Sequence, residues 1–184
     1  MSAGVSPNAI SVAGVLVAGL GCGVLLLVPG SLGLVATAVC VQLRLLCNML
    51  DGMVAIEGGR QTATGVLYNE IPDRVADSLL IVALGYAAGA GWLGWLGALA
   101  AAVTAYIRVL GGACGLAQDF RGPLAKPHRM FVMTVGCLLG AIELRASGNR
   151  YSLLLAAAII AAGAVLTCVL RTAAIARRLR ARSG

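Results

Sequence analysis

The sequence predicts an all-α fold, one integral membrane bundle of six transmembrane helices. Three observations lead there. Hydrophobic side chains make up 60% of the 184 residues and charged ones only 11%, with a mean hydropathy of +0.94, whereas a soluble domain carries roughly a quarter charged residues. A spanning helix needs about 20 apolar residues, or roughly 30 with its connection, so the chain has room for about six spans in a single domain. The basic residues also gather at one end of the implied bundle, as topology demands. A net charge of +7 invites a nucleic-acid reading, but 4% aromatic residues and the apolar bulk argue against it. Anionic lipid is the better partner for that surplus.

Taken in order, the first helix is expected at about 8–28. No Lys or Arg precedes it and the residues ahead of Cys22 do not form a convincing cleavage site, so it is read as a retained span. Pro29-Gly30-Ser31 separates it from a second helix at 31–50, and Glu57-Gly58-Gly59-Arg60 separates that from a third at 69–90. Gly89-Ala90-Gly91 opens a fourth helix at 92–112. The polar stretch from Gly115 to His128 leads to a fifth at 130–147, and Ser147-Gly148-Asn149 to a sixth at 151–171. Arg60, Arg74, Arg108, Arg121, Lys126, Arg129 and the run from Arg171 to Arg182 then share one end, and only Arg145 and Arg150 flank the other. Both termini are therefore expected in the cytoplasm, with 171–184 a basic cytoplasmic tail against anionic headgroups. The six cysteines form no C-x-x-C pair and read as small core hydrophobes. Gly19/Gly23, Gly85/Gly89, Gly111/Gly115 and Gly136/Gly140, each four apart, permit close helix packing and leave room for a homodimer. No internal repeat is evident, which weakens an inverted-repeat transporter.

The polar residues carry the functional signal. Asn48, Asp51, Asn69, Asp73 and Asp77 lie in or beside the second and third helices, where a central carboxylate costs on the order of 3 kcal/mol. Asn48 and Asp51 are i, i+3, and Asn69, Asp73 and Asp77 are i, i+4, i+8, so each set shares a face. Two antiparallel helices joined by a short Gly-rich loop would bring those faces together. Oxygen donors without His or Cys suit a hard cation, Mg2+ or Mn2+, at the cytoplasmic end of the two helices. The competing reading is a polar zipper, or an ion pair of Asp73 or Asp77 with Arg74 or Arg44. Asp119, in a loop with Arg121, is expected to be merely solvated.

Asn48-Met-Leu-Asp51-Gly52-Met-Val-Ala55, followed by Gly65-x3-Asn69-x3-Asp73, resembles the CDP-alcohol phosphotransferase pattern D-x2-D-G-x2-A-R-x8-G-x3-D-x3-D, in register throughout. Ser6-Pro7-Asn8-Ala-Ile-Ser11, Ala105-Tyr106-Ile-Arg108 and Lys126-Pro-His128-Arg129 agree with it, so the resemblance covers most of the chain as a single domain over 1–184. Asn48 and Asn69 stand where the family has its first and third Asp, and Ile56 where it has Arg. Asn still ligates through its carbonyl oxygen, but two ligand charges are lost; Glu57, Glu70 or Asp77 are candidate replacements, and Arg60 for the missing cation.

The resemblance implies a metal-dependent transferase of phospholipid synthesis in a bacterial inner membrane, with its active site cytoplasmic. It would pass a phosphatidyl group from a CDP-linked lipid, CDP-diacylglycerol in the usual case, to an alcohol and release CMP. It implies a pair of Mg2+ or Mn2+ ions held by Asn48, Asp51, Asn69 and Asp73, with Asp77 as a further candidate and Asp73 as the base. Gly52, Ala55 and Gly65, with Arg60 as a further candidate, would serve the donor nucleotide and its phosphates. Arg108, Lys126, His128 and Arg129 would take a phosphate on the acceptor. Two alternatives stand beside it: a catalytically silent relative acting as a membrane binding or assembly protein, and a small cation or proton transporter using Asp73 and Asp77.

Overall fold

A computed structural model describes residues 6–56 and 64–183. Six helices follow one another: α1 Pro7–Leu27, α2 Gly30–Ile56, α3 Gly65–Ala87, α4 Gly91–Ala113, α5 Lys126–Ser147 and α6 Tyr151–Ser183, with no strand among the described residues. Local chemistry sets several ends. Ser6 caps α1 by accepting from the Ala9 amide, with Pro7 in the first turn, and α1 ends at an extended Val28 just before Pro29. α5 starts with Pro127 in its first turn and stops at Gly148, whose φ of +74° is the left-handed cap that glycine adopts without strain.

Five helices, all but α3, are long and apolar enough to cross a membrane. At 23 residues, α3 spans about 34 Å, but Glu70, Asp73, Arg74 and Asp77 fill its first half. Dozens of large apolar side chains face outward, Leu16, Leu20, Leu27 and Leu32 among them. An apolar surface of that extent is untenable in water and natural in lipid. The chain is a multi-pass membrane protein.

The packing order is a ring, α1–α2–α5–α6–α4–α3 and back to α1, with α3 and α6 also touching across it. Leu80, Leu84, Met130, Met133, Leu153 and Ile160 fill the centre. Close approach depends on glycine at α3/α4, where a Cβ on Gly85 would lie 2.5 Å from the Gly94 backbone, and at α5/α6, where one on Gly136 would lie 2.5 Å from Ala156 Cβ. A Cβ on Gly19 or Gly23 would meet nothing within 4 Å among the described residues, so that expected packing stripe faces outward.

Two differences from expectation matter for the site. α2 and α3 do not form a packed hairpin: they touch only marginally, because α1 packs against both. The helices also run further than the apolar runs, since α2 continues to Ile56, α3 starts at Gly65 and α5 at Lys126. Asp51, Asn69 and Lys126 therefore sit on helical backbone. α6 continues to Ser183, so the expected basic tail is a rigid helical extension.

Candidate active site

The charged residues of α2, α3 and α4 and of the first turn of α5 converge at the end of the bundle that holds the start of α1. Their centre is Arg44, only 2% exposed, whose Nη2 donates to Asp73 Oδ1 at 2.8 Å and lies 3.2 Å from Asp77 Oδ1. Arg129, equally buried, reaches Asp77 Oδ2 at 3.3 Å and donates to the Leu124 carbonyl at 2.8 Å. Lys126 Nζ donates to Asn48 Oδ1 at 2.6 Å and to Asp73 Oδ2. Buried charges persist only when paired, and here Asp73 and Asp77 on α3 are paired with cations from α2 and α5. The ion-pair reading of Arg44 is thus what the structure shows, and both α3 carboxylates take part.

Asp51, 3% exposed, is treated differently. Its Oδ2 accepts from Ser11 Oγ of α1 at 2.6 Å, while Oδ1 is buried with no hydrogen-bond partner among the described residues. A cavity of about 10 Å³ lies beside it, lined by Ser11, Arg44, Asn48, Asp51 and Asp73 among others. That is the space of about one water-sized particle.

A larger cavity of about 260 Å³ adjoins, lined by Asn48, Asn69, Glu70, Asp73, Arg74, Thr104, Arg108, Phe120, Lys126, Arg129 and Arg171 among others. Glu70 Oε1 holds Arg108 at 2.5 Å, and the Arg108 guanidinium stacks over Phe120, 5.2 Å from its ring centre. Arg74 lies 3.6 Å from Glu70 Oε2. The wall is rich in cations on ordered supports, which is what an anionic group of a ligand requires.

Of the residues singled out from sequence, Asn48, Asn69, Asp73, Arg108, Lys126 and Arg129 line this larger cavity, and Asp51 faces the small one. Asp77 is enclosed by Arg44 and Arg129. His128 is exposed and does not line the cavity. A Cβ on Gly52 would meet nothing within 4 Å among the described residues. Gly65 begins α3 and Ala55 lies in the last turn of α2, while Glu57 and Arg60 lie outside the described residues.

Three contributors were not assigned a role in the site from sequence. Ser11 belongs to a flanking segment that resembles the family, which was its only signal. Glu70 was noted only as spare charge. Arg171 looked like part of a topology anchor, yet it donates to the Arg121 carbonyl at 2.6 Å and the Thr104 carbonyl at 2.9 Å. Asp119 is also buried rather than solvated, paired with Arg121 at 3.4 Å and Arg178 at 3.3 Å.

As to a metal, the described residues include no group of three or more His, Cys, Asp or Glu side chains placed to hold one. The donors present are carboxylates of Asp51 and Asp73 and the amide oxygen of Asn48, all lining the small cavity with the orphaned Asp51 Oδ1. Asn48 Oδ1 and both Asp73 oxygens already accept from Lys126 or Arg44, so a hard cation beside Asp51 Oδ1 would share those oxygens with the two side chains.

Fold and cleft together define a helical membrane protein with a charged pocket sunk into one end of a six-helix ring. The same fold occurs in crystal structures of Mycobacterium tuberculosis phosphatidylinositol phosphate synthase. With CDP-DAG bound, that protein matches at a TM-score of 0.76 and 23% identity, over 94% of this chain and 87% of the other. In complex with manganese and citrate it matches at 0.77 and 23%, over 93% and 82%, and in apo form at 0.71 and 23%, over 92% and 88%. No family model and no curated protein sequence matches.

Proposed function

We propose that the chain is a CDP-alcohol phosphatidyltransferase that moves a phosphatidyl group from CDP-diacylglycerol to an alcohol and releases CMP. One observation carries this reading: on the fold of a synthase crystallised with CDP-DAG, the motif residues Asn48, Asn69 and Asp73 open into a cavity walled by Arg74, Arg108, Lys126, Arg129 and Arg171. The neighbour's manganese complex supports a divalent ion here as well. α3 is taken as the sixth span, and the basic end of the bundle as cytoplasmic.

In this reading the acceptor hydroxyl oxygen attacks the lipid-bearing phosphorus. A new P–O bond forms, the bond to the bridging oxygen breaks, and CMP departs with that oxygen. Asp73 takes the hydroxyl proton. A divalent ion held by Asp51 and Asp73, with Asn48 and Asn69 adding amide oxygens, would neutralise diphosphate oxygens and so ease departure of CMP. Gly52, where a Cβ would meet nothing within 4 Å among the described residues, would leave room for the cytidine. Arg108, oriented by Glu70 and Phe120, and Arg171, anchored on two carbonyls, hold a phosphate on the acceptor. Positioning and charge stabilisation supply most of the rate.

The test is Mg2+-dependent CMP release from CDP-diacylglycerol by the purified protein, with a pool of alcohols and alcohol phosphates and with Asp73→Ala in parallel. Release that needs both an acceptor and Asp73 is the expected result. Absence of release from folded protein would favour the silent membrane-binding relative, a reading motivated by Asn48 and Asn69. Ion flux in proteoliposomes without a lipid donor would favour the transporter.

A further inference from the structure

We propose that Lys126 is a built-in cation standing where a second divalent ion would otherwise sit, so that this cleft binds one ion per chain. The inference rests on the transferase reading and deepens it. Its first support is the position of the ammonium. Lys126 Nζ bridges Asn48 Oδ1 at 2.6 Å and Asp73 Oδ2, two side chains that match the ends of the motif's ligand set. A compact ammonium with three donors is the side chain suited to bridging oxygens in this way.

The second support is charge. Asn48 and Asn69 leave two carboxylates, Asp51 and Asp73, at the four motif positions. With Asp77 there are three buried or half-buried carboxylates, and four cations lie on two of them, Arg44, Arg74 and Lys126 on Asp73 and Arg44 and Arg129 on Asp77, while Asp51 accepts from Ser11. Four ligating carboxylates would need two divalent ions for neutrality, whereas this cluster carries no surplus of negative charge beforehand. One added ion is offset when the donor brings a negative charge on each of its two phosphates. A second would stand beside an ammonium and a guanidinium with nothing to offset it.

The third support is space. At the four motif positions, Asp51 Oδ1 is the oxygen left buried and without a hydrogen bond among the described residues, and the cavity beside it, about 10 Å³, admits one small particle. Both oxygens of Asp73, by contrast, already accept from cations. The side of Asp73 turned to the larger cavity is therefore served by protein charge.

The experiment counts bound Mn2+ on the purified full-length chain in detergent, from the electron paramagnetic resonance signal of the free ion, with thermal unfolding as the check on folding. The wild type is expected to bind one Mn2+. Lys126→Met, which removes a cation beside the ion, is expected to bind its one Mn2+ about tenfold more tightly. The triple variant Asn48→Asp, Asn69→Asp, Lys126→Met is expected to bind two; should it fail to fold, the single variant decides. Two ions on the wild type, or unchanged or weaker binding by folded Lys126→Met, would overturn the proposal. CMP release, measured in parallel, separates the two readings. Two bound ions with release would overturn the Lys126 proposal and keep the transferase, and no bound ion with release would do the same. No bound ion and no release would overturn both.

Discussion

At the scale of single residues, Arg44 is the side chain on which the site is organised. It is buried among apolar helices and shared between Asp73 and Asp77. Removing one partner of such a group strands the other charges, at a cost of about 3–5 kcal/mol. Arg44→Met should therefore lower the unfolding temperature in detergent sharply. Asp77→Asn in the same chain should recover part of that loss, because it removes a carboxylate that Arg44 had compensated. A double-mutant cycle read by thermal unfolding checks this, and additive losses would show that the two residues do not interact. Asp73→Ala should abolish turnover, since it removes both a donor oxygen and the proposed proton acceptor. Arg44 was legible in the sequence only as one of two candidate partners, beside Arg74, for Asp73 or Asp77, because spacing along one helix does not say which neighbour faces it.

At the scale of elements, the helices interlock through specific small residues, and their sequence spacing is only a partial guide to which ones. Gly85 and Gly19 both belong to glycine pairs four apart, yet a Cβ at Gly85 meets the Gly94 backbone whereas one at Gly19 meets nothing within 4 Å among the described residues. Gly85→Val should cost about 1–3 kcal/mol through overpacking. Gly19→Ala should stay within about 0.5 kcal/mol of wild type or stabilise slightly, since helix propensity favours alanine. Thermal unfolding of the two variants side by side checks the contrast. The spans expected from hydropathy were placed within a few residues at most of their ends. The polar turns of α2, α3 and α5 were missed because helices continue through residues that lower hydropathy without breaking the backbone hydrogen bonds. Lys126 on the first turn of α5, rather than in a loop, is the consequence that matters: from there it reaches Asn48 and Asp73.

At the scale of the whole molecule, charge is segregated between the two ends of the bundle. The cleft end holds Arg74, Arg108, Arg121, Lys126, Arg129 and the arginines of α6. The other end holds Arg145, which donates to Ser31 at 2.8 Å, and Tyr86, bonded to Trp95 at 3.3 Å, a pairing suited to the headgroup region. In a background with the exposed Cys114 replaced, His128→Cys should react with a membrane-impermeant thiol reagent only from the cytoplasmic side. Asn149→Cys should react only from the outer side. The reverse pattern would invert the proposed topology. α6 beyond Arg171 is also held to the α4–α5 connection, with Arg178 on Asp119 and Arg182 on the Gly115 carbonyl, so the basic extension has a structural task.

The sequence by itself determined the class of molecule, the number and order of helices, the end at which charge collects, and the motif residues of the candidate site. Each of these depends on local properties: hydropathy over about 20 residues, breaks at glycine and proline, and side-chain spacing along one helix. Only the tertiary structure decided that α1 packs between α2 and α3 and brings Ser11 to Asp51, that Arg44 and Arg129 hold Asp77, and that Lys126 bridges Asn48 and Asp73. Those contacts join residues 29–78 positions apart. No local pattern encodes them, because the pairing of buried charges is settled by which helix faces which around the ring.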